Sequence, residues 1–535
     1  MTARLIVTVT LALSIGVGAM AAPDANTTRS RLPWKEKAMP KLTGLLFNHD
    51  CTYFFYTNTI KARVDGGAVL DAYFDVLADA GVTTLLINTN ARKTNYRGEV
   101  WETFWDGYDH NGPDDQPYFR GVPTSDLPGY RRMMHSMMAL DQQGVDYMQR
   151  TVARCRLRGV SPWVTLRMND VHYNDNLDNP FHGQFWRDPK RFRGGSGYYA
   201  RALDYALPEV RDMYRALIVE TLQRYDMDGL ELDFMREPYL FRIGAEAEGG
   251  KILREWLRSI RRLVYDASVR RGHPIRMGVR VPSHVEVAQS WGLDAVAWAK
   301  EGLVDLVVAT PRWATLEYDM PLGDWARALE GTGVTLAGGL EILCRPMPSG
   351  PAAAVTREQA AGAASEVLSA GADVVYLFNY FSPIAANPSW TPDGYRRTLR
   401  AMSSLEAVSA LPRRHCVTWR DITGPDEHYT APLPAEGKSL TFALPTGPKP
   451  PADARVSLEL RLGQSAQAPA PIVTVNQTKC EFRSVRPDGE GAVLATYDVP
   501  ASALPGKQPN TIGVTAAGET PVKAYGLEIR IATAQ

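Results

Sequence analysis

Residues 228–238 have the sequence DGLELDFMREP, in which apolar and polar side chains alternate. Such alternation is typical of a β-strand with two different faces. It places Gly229, Glu231 and Asp233 on one face and the leucines on the other. Burying two carboxylates side by side is costly and shifts their pKa values, which favours acid, base or nucleophile chemistry over simple packing. A structural pair bonded to neighbouring arginines is the alternative interpretation.

Short apolar runs flank this strand on both sides and alternate with segments of helical period. The helical segments cover residues 70–80, 145–158, 209–225, 250–271, 293–301, 322–329 and 357–370. Eight strands separated by helices predict an α/β fold, a closed (β/α)8 TIM barrel over residues 41–410. The predicted strands are 43–47, 83–88, 161–166, 229–234, 275–281, 305–309, 335–340 and 373–378.

Two long stretches after the second and third strands, residues 89–142 and 169–207, are rich in Trp, Tyr, Asp, Asn, Gly and Pro. Loops that follow the strands of such a barrel build its active face. Exposed aromatic side chains in irregular loops are costly unless they pack or bind a ligand. We therefore expect a substrate cleft here, with plain insertions as the alternative.

Helical period disappears after residue 410, and short strands separated by Pro/Gly-rich turns follow. This pattern predicts a small all-β sandwich or jelly-roll domain over residues 411–535, packed beside the barrel. The segment has few aromatic residues, notably Phe482 and Tyr497. A structural or accessory role is therefore expected rather than independent glycan binding.

The N-terminus has the pattern of a secretory signal peptide, residues 1–21, followed by a lead-in over residues 22–40. Arg4 precedes an apolar stretch, and Ala19-Met20-Ala21 is a small-x-small cleavage site. The apolar stretch is shorter than the roughly 20 residues that a spanning helix needs, although an uncleaved anchor is the alternative. We expect a secreted or periplasmic protein with no membrane span in its mature form.

The formal net charge is +0, from 59 basic and 59 acidic residues. No basic stripe favours nucleic acid as a partner. The five cysteines are scattered without a CxxC pair, so neither a zinc site nor a dense disulfide framework is predicted. A bridge between Cys416 and Cys480 is possible within the C-terminal region, but spacing does not fix connectivity. The oligomeric state is left open.

A second candidate carboxylate, Glu341, directly follows the seventh predicted strand. We expect it at the same rim as Asp233, facing it from the opposite side and reachable from solvent. Glycoside hydrolysis uses such a pair, one group protonating the leaving oxygen while the other attacks or activates water. The alternative for Glu341 is a rim salt bridge with Arg345 or Arg312.

The quoted residues resemble the glycoside hydrolase superfamily of TIM barrels, especially hypothetical glycosyl hydrolases with a DGLELD-type fourth strand. The similarity covers residues 41–410 and implies hydrolysis of O-glycosidic bonds in a poly- or oligosaccharide by a carboxylate pair, Asp233 and Glu341. Arg236-Glu237-Pro238 resembles the Asn-Glu-Pro acid/base motif of related barrels, with Arg in place of Asn, which makes Glu237 a reserve candidate. The chitinase DxxDxDxE strand is similar too, but its terminal Glu is absent here.

Polar and aromatic residues recur at the ends of the other predicted strands, where they suit the hydroxyls and C–H faces of a carbohydrate substrate. The four arginines among them indicate either an acidic sugar or guanidinium groups that keep site carboxylates ionised. The predicted substrate-binding residues are Glu231, Arg236, Glu237, Asn48, Asp50, Asn88, Arg167, Asn169, His172, Arg280, Trp313, Asn379 and Tyr380, with Arg312 as the fourth arginine.

Two other functions remain open. A metal-dependent hydrolase is disfavoured because the first strand lacks a His-x-His pair, and His49 and His172 are isolated. We predict no metal site and no cofactor. A catalytically silent carbohydrate-binding barrel would keep the cleft but lack a usable acid, and the presence of both Asp233 and Glu341 argues against it.

Overall fold

The computed structural model describes residue 34 and residues 39–50, 52–61, 64–381, 387–489, 491–506 and 508–532. The predicted signal peptide and most of the lead-in lie outside these residues. From Met39 onward the chain forms one compact unit. None of the helices in the described ranges is long and apolar enough to cross a membrane.

Eight parallel strands close into a barrel, which confirms the predicted fold class. Each strand pairs with its neighbours in chain order, and the last strand pairs with the first. The strands are β1 (Leu45–His49), β2 (Val82–Asn88), β3 (Ser161–Arg167), β4 (Gly229–Asp233), β5 (Arg276–Pro282), β6 (Leu306–Thr310), β7 (Thr335–Leu340) and β8 (Val374–Phe378).

Helices surround the barrel, and the seven predicted from periodicity are all present. They are joined by helices that the pattern did not predict, of which the longest is Leu127–Gln142. The observed helices are Tyr53–Thr57, Gly66–Asp79, Leu127–Gln142, Tyr147–Leu157, Pro208–Arg224, Glu246–Arg271, Val285–Ser290, Ala295–Glu301, Leu322–Ala328, Arg357–Ser369, Pro392–Ala401 and Leu405–Ser409.

The barrel interior changes from apolar to polar along the strands. Leu46, Leu86, Trp163 and Leu306 belong to a buried apolar cluster inside the barrel. Gly229 leaves room for the largest of these side chains, because a Cβ atom there would lie 2.2 Å from the Trp163 ring. The glycine of the DGLELD segment is therefore required by packing, and the two carboxylates that follow it point into the upper barrel.

The loops after β2 and β3 place most of their aromatic side chains in a second core rather than along the expected cleft, and Tyr198 of the second loop is an exposed exception. The Trp101 and Trp186 rings lie 6.4 Å apart, and Tyr214 contacts both rings. The Arg92 guanidinium lies 4.8 Å from the Trp186 ring centroid and donates through Nε to the Asp170 carbonyl at 2.7 Å. Most aromatic residues of these loops are buried, so their abundance reflects packing.

Two antiparallel sheets make up the C-terminal region, as the loss of helical period predicts. One sheet has the order β9-β18-β12-β16-β15, with β10 also paired to β18; the other has the order β11-β17-β13-β14. The strands are β9 (Arg413–Cys416), β10 (Ala435–Gly437), β11 (Ser439–Leu444), β12 (Arg455–Leu462), β13 (Ile472–Val475), β14 (Thr478–Lys479), β15 (Glu481–Pro487), β16 (Val493–Val499), β17 (Asn510–Thr515) and β18 (Val522–Ala532).

Strand β9 packs on the barrel helix Arg357–Ser369. The approach is close, because a Cβ atom at Gly362 would lie 2.0 Å from the Arg414 carbonyl oxygen. Arg414 Nε also lies 2.9 Å from a Glu358 carboxylate oxygen. The C-terminal sheets are therefore attached to the barrel through close backbone packing and an ion pair.

The bridge between Cys416 and Cys480 that spacing allowed is not formed. Both cysteines are free thiols, and Cys480 donates to the Thr478 carbonyl at 3.9 Å. Cys416 lies in β9 of one sheet, whereas Cys480 follows β14 of the other. The two cysteines are thus associated with different sheets.

Candidate active site

Asp233 ends β4 and forms an ion pair with Arg280 of β5. Arg280 Nη1 lies 3.2 Å from Asp233 Oδ2, and the backbone N–H of Met235 donates to the same carboxylate at 2.9 Å. Both charged side chains are buried, with 2% of the Asp233 side chain exposed. Removing either charge would leave the other buried without a partner, which is energetically costly. Burial therefore favours the paired arrangement.

Glu231 lies one layer below Asp233, sealed inside the barrel. A single oxygen, Oε2, accepts hydrogen bonds from Thr165 at 2.6 Å, Tyr376 at 3.0 Å and Asn48 at 3.1 Å. Burial and the Asp233 charge raise the pKa of Glu231. Glu231 is thus a fully buried neighbour of Asp233, and its role in binding substrate stays a prediction.

Glu341 follows β7 and is a buried carboxyl group with one oxygen bonded by the described residues and the other not. Its Oε1 accepts the Ile342 N–H at 2.9 Å, while Oε2 has no hydrogen-bond partner among the described residues. Burial raises the pKa of Glu341 to about 8, although the positive charge of Arg280 opposes this shift. At neutral pH the group is therefore a carboxylic acid with a proton available.

Asp233 and Glu341 both interact electrostatically with the guanidinium of Arg280, a residue of β5, which pairs with β4 and β6. Their exposed fractions are 1% and 2%. This burial differs from the expectation that both carboxylates are reachable from solvent. Burial also places both groups in a low local dielectric, which strengthens each charge interaction.

Glu237, the reserve candidate, is paired with Arg312 rather than free. Arg312 Nη2 lies 2.9 Å from Glu237 Oε2, and burial raises the pKa of Glu237 to about 7. The Arg312 guanidinium is flanked by the Tyr199 ring at 5.0 Å and the Trp313 ring at 5.1 Å. The neighbouring Tyr198 hydroxyl interacts electrostatically with the same pair.

Two aromatic side chains beside this ion pair project into solvent. The exposed fractions are 51% for Tyr198 and 40% for Trp313. Sequence reasoning named Trp313 but not Tyr198, which lies in a Gly-rich stretch, GGSGYY, within the loop after β3. Exposed aromatic rings of this kind suit stacking against the C–H face of a sugar.

A chain of charged groups links the ends of β1 and β3. Arg167 pairs with Asp50 and with Asp170, the latter at 3.0 Å. His172 Nδ1 lies 2.9 Å from Asp170, and Arg236 Nη2 lies 3.2 Å from His172 Nε2. Since Arg236 can only donate, His172 accepts at Nε2 and donates from Nδ1 to Asp170.

The cations of this chain hold its carboxylates ionised. Burial opposes ionisation of Asp50, but the charges of Arg167 and Arg236 outweigh it and lower its pKa well below the usual range. Burial also opposes ionisation of Asp170. Its interactions with His172 and Arg167 outweigh burial and lower its pKa. Pairing with carboxylates therefore accounts for Arg167 here, as it does for Arg280 and Arg312.

Asp421 reaches the mouth of the barrel from the segment that follows β9. Its carboxylate accepts the backbone N–H groups of Arg312 at 3.1 Å, Trp313 at 3.1 Å and Ala314 at 2.9 Å. These three hydrogen bonds fix the loop after β6. The loop carries Arg312, the partner of Glu237, and the exposed ring of Trp313. Sequence reasoning missed Asp421 because it lies beyond the predicted barrel boundary.

Most of the remaining predicted residues make hydrogen bonds to the backbone around the site. Asn169 exchanges hydrogen bonds with the Leu203 backbone, and Asn88 donates to the Thr165 carbonyl. Tyr380 donates to the Glu341 carbonyl at 3.0 Å. Asn379 adopts a positive φ of 59° just after β8. Within the described ranges, no group of three His, Cys, Asp or Glu side chains is arranged to hold a metal ion.

Comparison with known proteins gives distant likenesses only. No known protein family and no curated protein matches the sequence. Solved structures that resemble the chain include glycoside hydrolases and a glucanotransferase. A cycloisomaltooligosaccharide glucanotransferase from Paenibacillus sp. is 9% identical, with a TM-score of 0.33, and the match covers 92% of this chain and 57% of the other.

Two structures of glycoside hydrolases also resemble the chain. A cell-surface-expressed chitinase from Paenibacillus sp. is 11% identical, with a TM-score of 0.38, over 91% of this chain and 56% of the other. The glycoside hydrolase domain of PgaB from Bordetella bronchiseptica has the same identity and TM-score, over 67% of this chain and 99% of that domain. The chain thus spans a little over half the length of both Paenibacillus proteins. Likenesses this distant do not identify its chemistry.

Proposed function

We propose that the protein is an exported glycoside hydrolase in which Glu341 is the general acid and Asp233, paired with Arg280, is the second member of the carboxylate pair. One observation carries the proposal. The charge of a single guanidinium, that of Arg280, acts on a carboxylate in an ion pair with it and on a carboxyl group whose pKa burial raises to about 8. Hydrolysis of a glycosidic bond requires two carboxyl groups in different environments, one of which can donate a proton.

The two carboxyl groups have different roles in the proposed chemistry. Glu341 donates its proton to the glycosidic oxygen as the bond to the anomeric carbon breaks, so the leaving sugar departs as a neutral alcohol. Asp233 stabilises the positive charge that develops on the sugar ring, and either attacks the anomeric carbon or takes a proton from the attacking water. Arg280 holds the Asp233 carboxylate in place throughout.

The substrate would enter past the two exposed rings, Tyr198 and Trp313. A sugar stacked on either ring lies beside the Glu237–Arg312 pair, whose polar atoms suit hydroxyl groups. Export depends on the signal peptide at residues 1–21. This signal would direct the protein to a compartment where poly- or oligosaccharides are found, and it would be removed during export.

Purified mature protein incubated with a panel of glycans tests the proposal. Once a substrate is found, Asp233→Asn and Glu341→Gln should each lower kcat/KM by about two orders of magnitude or more, because each removes a charge or a transferable proton. Glu366→Gln is the matched control. Burial raises the pKa of Glu366 to about 7 as well, but its carboxylate accepts the Gly447 N–H at 2.5 Å, away from the barrel mouth.

Leaving-group dependence separates the two roles. An aryl glycoside with an acidic phenol needs little protonation, so Glu341→Gln should recover much of its activity on that substrate, whereas Asp233→Asn should not. Near wild-type activity of both variants would disprove the pair and point to Glu237. Binding of glycans without any turnover would instead favour a silent carbohydrate-binding barrel, which the burial of both carboxylates makes the second candidate.

A further inference from the structure

Two buried thiols lie together where the barrel meets the C-terminal sheets. Cys344 lies in a two-residue strand, Leu343–Cys344, that follows β7, and Cys416 ends β9. The Gln359 side-chain nitrogen lies 3.8 Å from Cys344 Sγ and 3.5 Å from Cys416 Sγ. The two sulfurs can be no farther apart than the sum of these distances. The Cys344 thiol is the main reason that the pKa of Cys416 is raised well above its usual value, with burial second.

A cavity gives access to both thiols. It has a volume of about 290 Å³ and is lined on the barrel side by Cys344 and Gln359 and on the sheet side by Cys416, Arg414 and Glu528. The exposed fractions of the two cysteines are small but not zero, 6% and 4%. A small reagent in this cavity would meet both sulfurs at once.

We propose that Cys344 and Cys416 are a disulfide-forming pair that covalently joins the barrel to the C-terminal sheets when the protein meets an oxidising small-molecule disulfide. The inference does not depend on the proposed glycosidase activity. It predicts a bond between two regions that sequence spacing did not connect. It also predicts that the bond forms within one chain rather than between chains.

The exchange is balanced in thiols and protons. Cys344, as the thiolate, attacks one sulfur of the small disulfide and expels the other half, which takes up a proton as a free thiol. Cys416, as the thiolate, then attacks Cys344 Sγ in the mixed disulfide and expels the second half. Two protein thiols are oxidised, one small disulfide is reduced to two thiols, and the cysteine protons end on those thiols.

The other described cysteines provide matched controls. Cys155 lies on the helix Tyr147–Leu157 and is buried, and burial raises its pKa to about 12. Cys480 follows β14, with its thiol directed to the Thr478 carbonyl. Neither has a contact to Cys344 or Cys416 in the described structure, so neither should join the bond.

Peptide mapping tests the pair in the full-length wild-type protein. The protein is equilibrated with 2-hydroxyethyl disulfide, free thiols are alkylated, and a tryptic digest is analysed with and without reductant. Because trypsin does not cut before Pro346, Cys344 lies alone in peptide 328–357 and Cys416 alone in peptide 415–420. We expect a reductant-sensitive product that joins these two peptides, and a monomer on a non-reducing gel.

Stability gives a second readout. The bond would close a long loop of chain, so the oxidised protein should have a higher Tm than the reduced protein. Cys344→Ser and Cys416→Ser should each abolish the difference, while Cys155→Ser and Cys480→Ser should preserve it. Alkylation of both cysteines after prolonged oxidation, or a cross-link of either one to another cysteine, would overturn the proposal even if a serine variant failed to fold.

Discussion

The Arg280 guanidinium stacks on the Phe378 ring, with its central carbon 3.9 Å from the ring centroid. Stacking fixes the plane of the guanidinium, so that Nη1 is directed to Asp233 while the charge also acts on Glu341. An aromatic face supports an arginine better than a lysine in such a role, because the guanidinium is planar and weakly hydrated. One side chain thereby pairs with Asp233 and opposes the rise that burial causes in the pKa of Glu341.

The pH profile of hydrolysis should have an alkaline limb set by Glu341. The acid must be protonated to act, and burial raises its pKa to about 8. We expect kcat/KM to fall above about pH 8, approaching tenfold per pH unit. The same shift means that Glu341 favours the folded state at low pH and that this stabilisation is lost as pH rises from about 4.5 toward 8.

Initial rates across the pH range check this limb. Glu366→Gln should leave it in place, since Glu366 lies away from the mouth of the barrel. A limb that is unchanged in the residual activity of Glu341→Gln would assign it to another group.

Replacing Arg280 should move the limb in a predictable direction. Its charge lowers the pKa of Glu341, so Arg280→Gln should shift the alkaline limb to higher pH, whereas Arg280→Lys should shift it less. Arg280→Gln also leaves Asp233 buried without its partner, which should lower the free energy of unfolding by about 3–5 kcal/mol. Denaturant titration together with the pH profile measures both effects. A limb that moves to lower pH in Arg280→Gln would contradict this account.

Asp421 should act as a positioning residue for the loop after β6. Asp421→Ala removes the acceptor of three consecutive N–H groups and should lower kcat/KM by roughly ten- to hundredfold, chiefly through KM, because Trp313 loses its fixed place. Asp421→Asn keeps an acceptor oxygen and should be milder. Asp426, an exposed aspartate nearby in the chain, is the control. A loss confined to kcat would contradict a role in holding the substrate platform.

Gly229 should be intolerant of even a methyl group. Gly229→Ala brings a Cβ atom to 2.2 Å from the Trp163 ring, and such overpacking should lower the free energy of unfolding by about 1–3 kcal/mol. Trp163→Leu makes space, so the double variant should be less destabilised than the sum of the single variants. Gly518, which has open space around its Cβ position, is the control. Additive losses would show that the two sites do not interact.

Strand positions were predictable from sequence because buried parallel strands are nearly continuous apolar runs. Each of the eight predicted strands ends within two residues of the observed one. Alternation also placed Glu231 and Asp233 correctly on the inner face. These are local properties, readable from a few neighbouring residues.

Partners across the fold were not predictable in the same way. Arg280 lies 47 positions from Asp233, and nothing in the spacing says which carboxylate it contacts. Asn169 fits a sugar-binding residue by type, yet its amide is used on the Leu203 backbone. The helix Leu127–Gln142 was hidden by the Pro and Gly near its start, although Pro is well tolerated in a first turn.

The aromatic layer above the barrel limits how this protein could acquire a new substrate. Trp101, Trp186 and Tyr214 contact one another there, so a substitution that reshapes the layer also removes core packing. Tyr198 and Trp313 project into solvent and can change at little cost to folding. A laboratory selection for altered glycan preference should therefore collect its substitutions at these two positions and leave the layer beneath them unchanged.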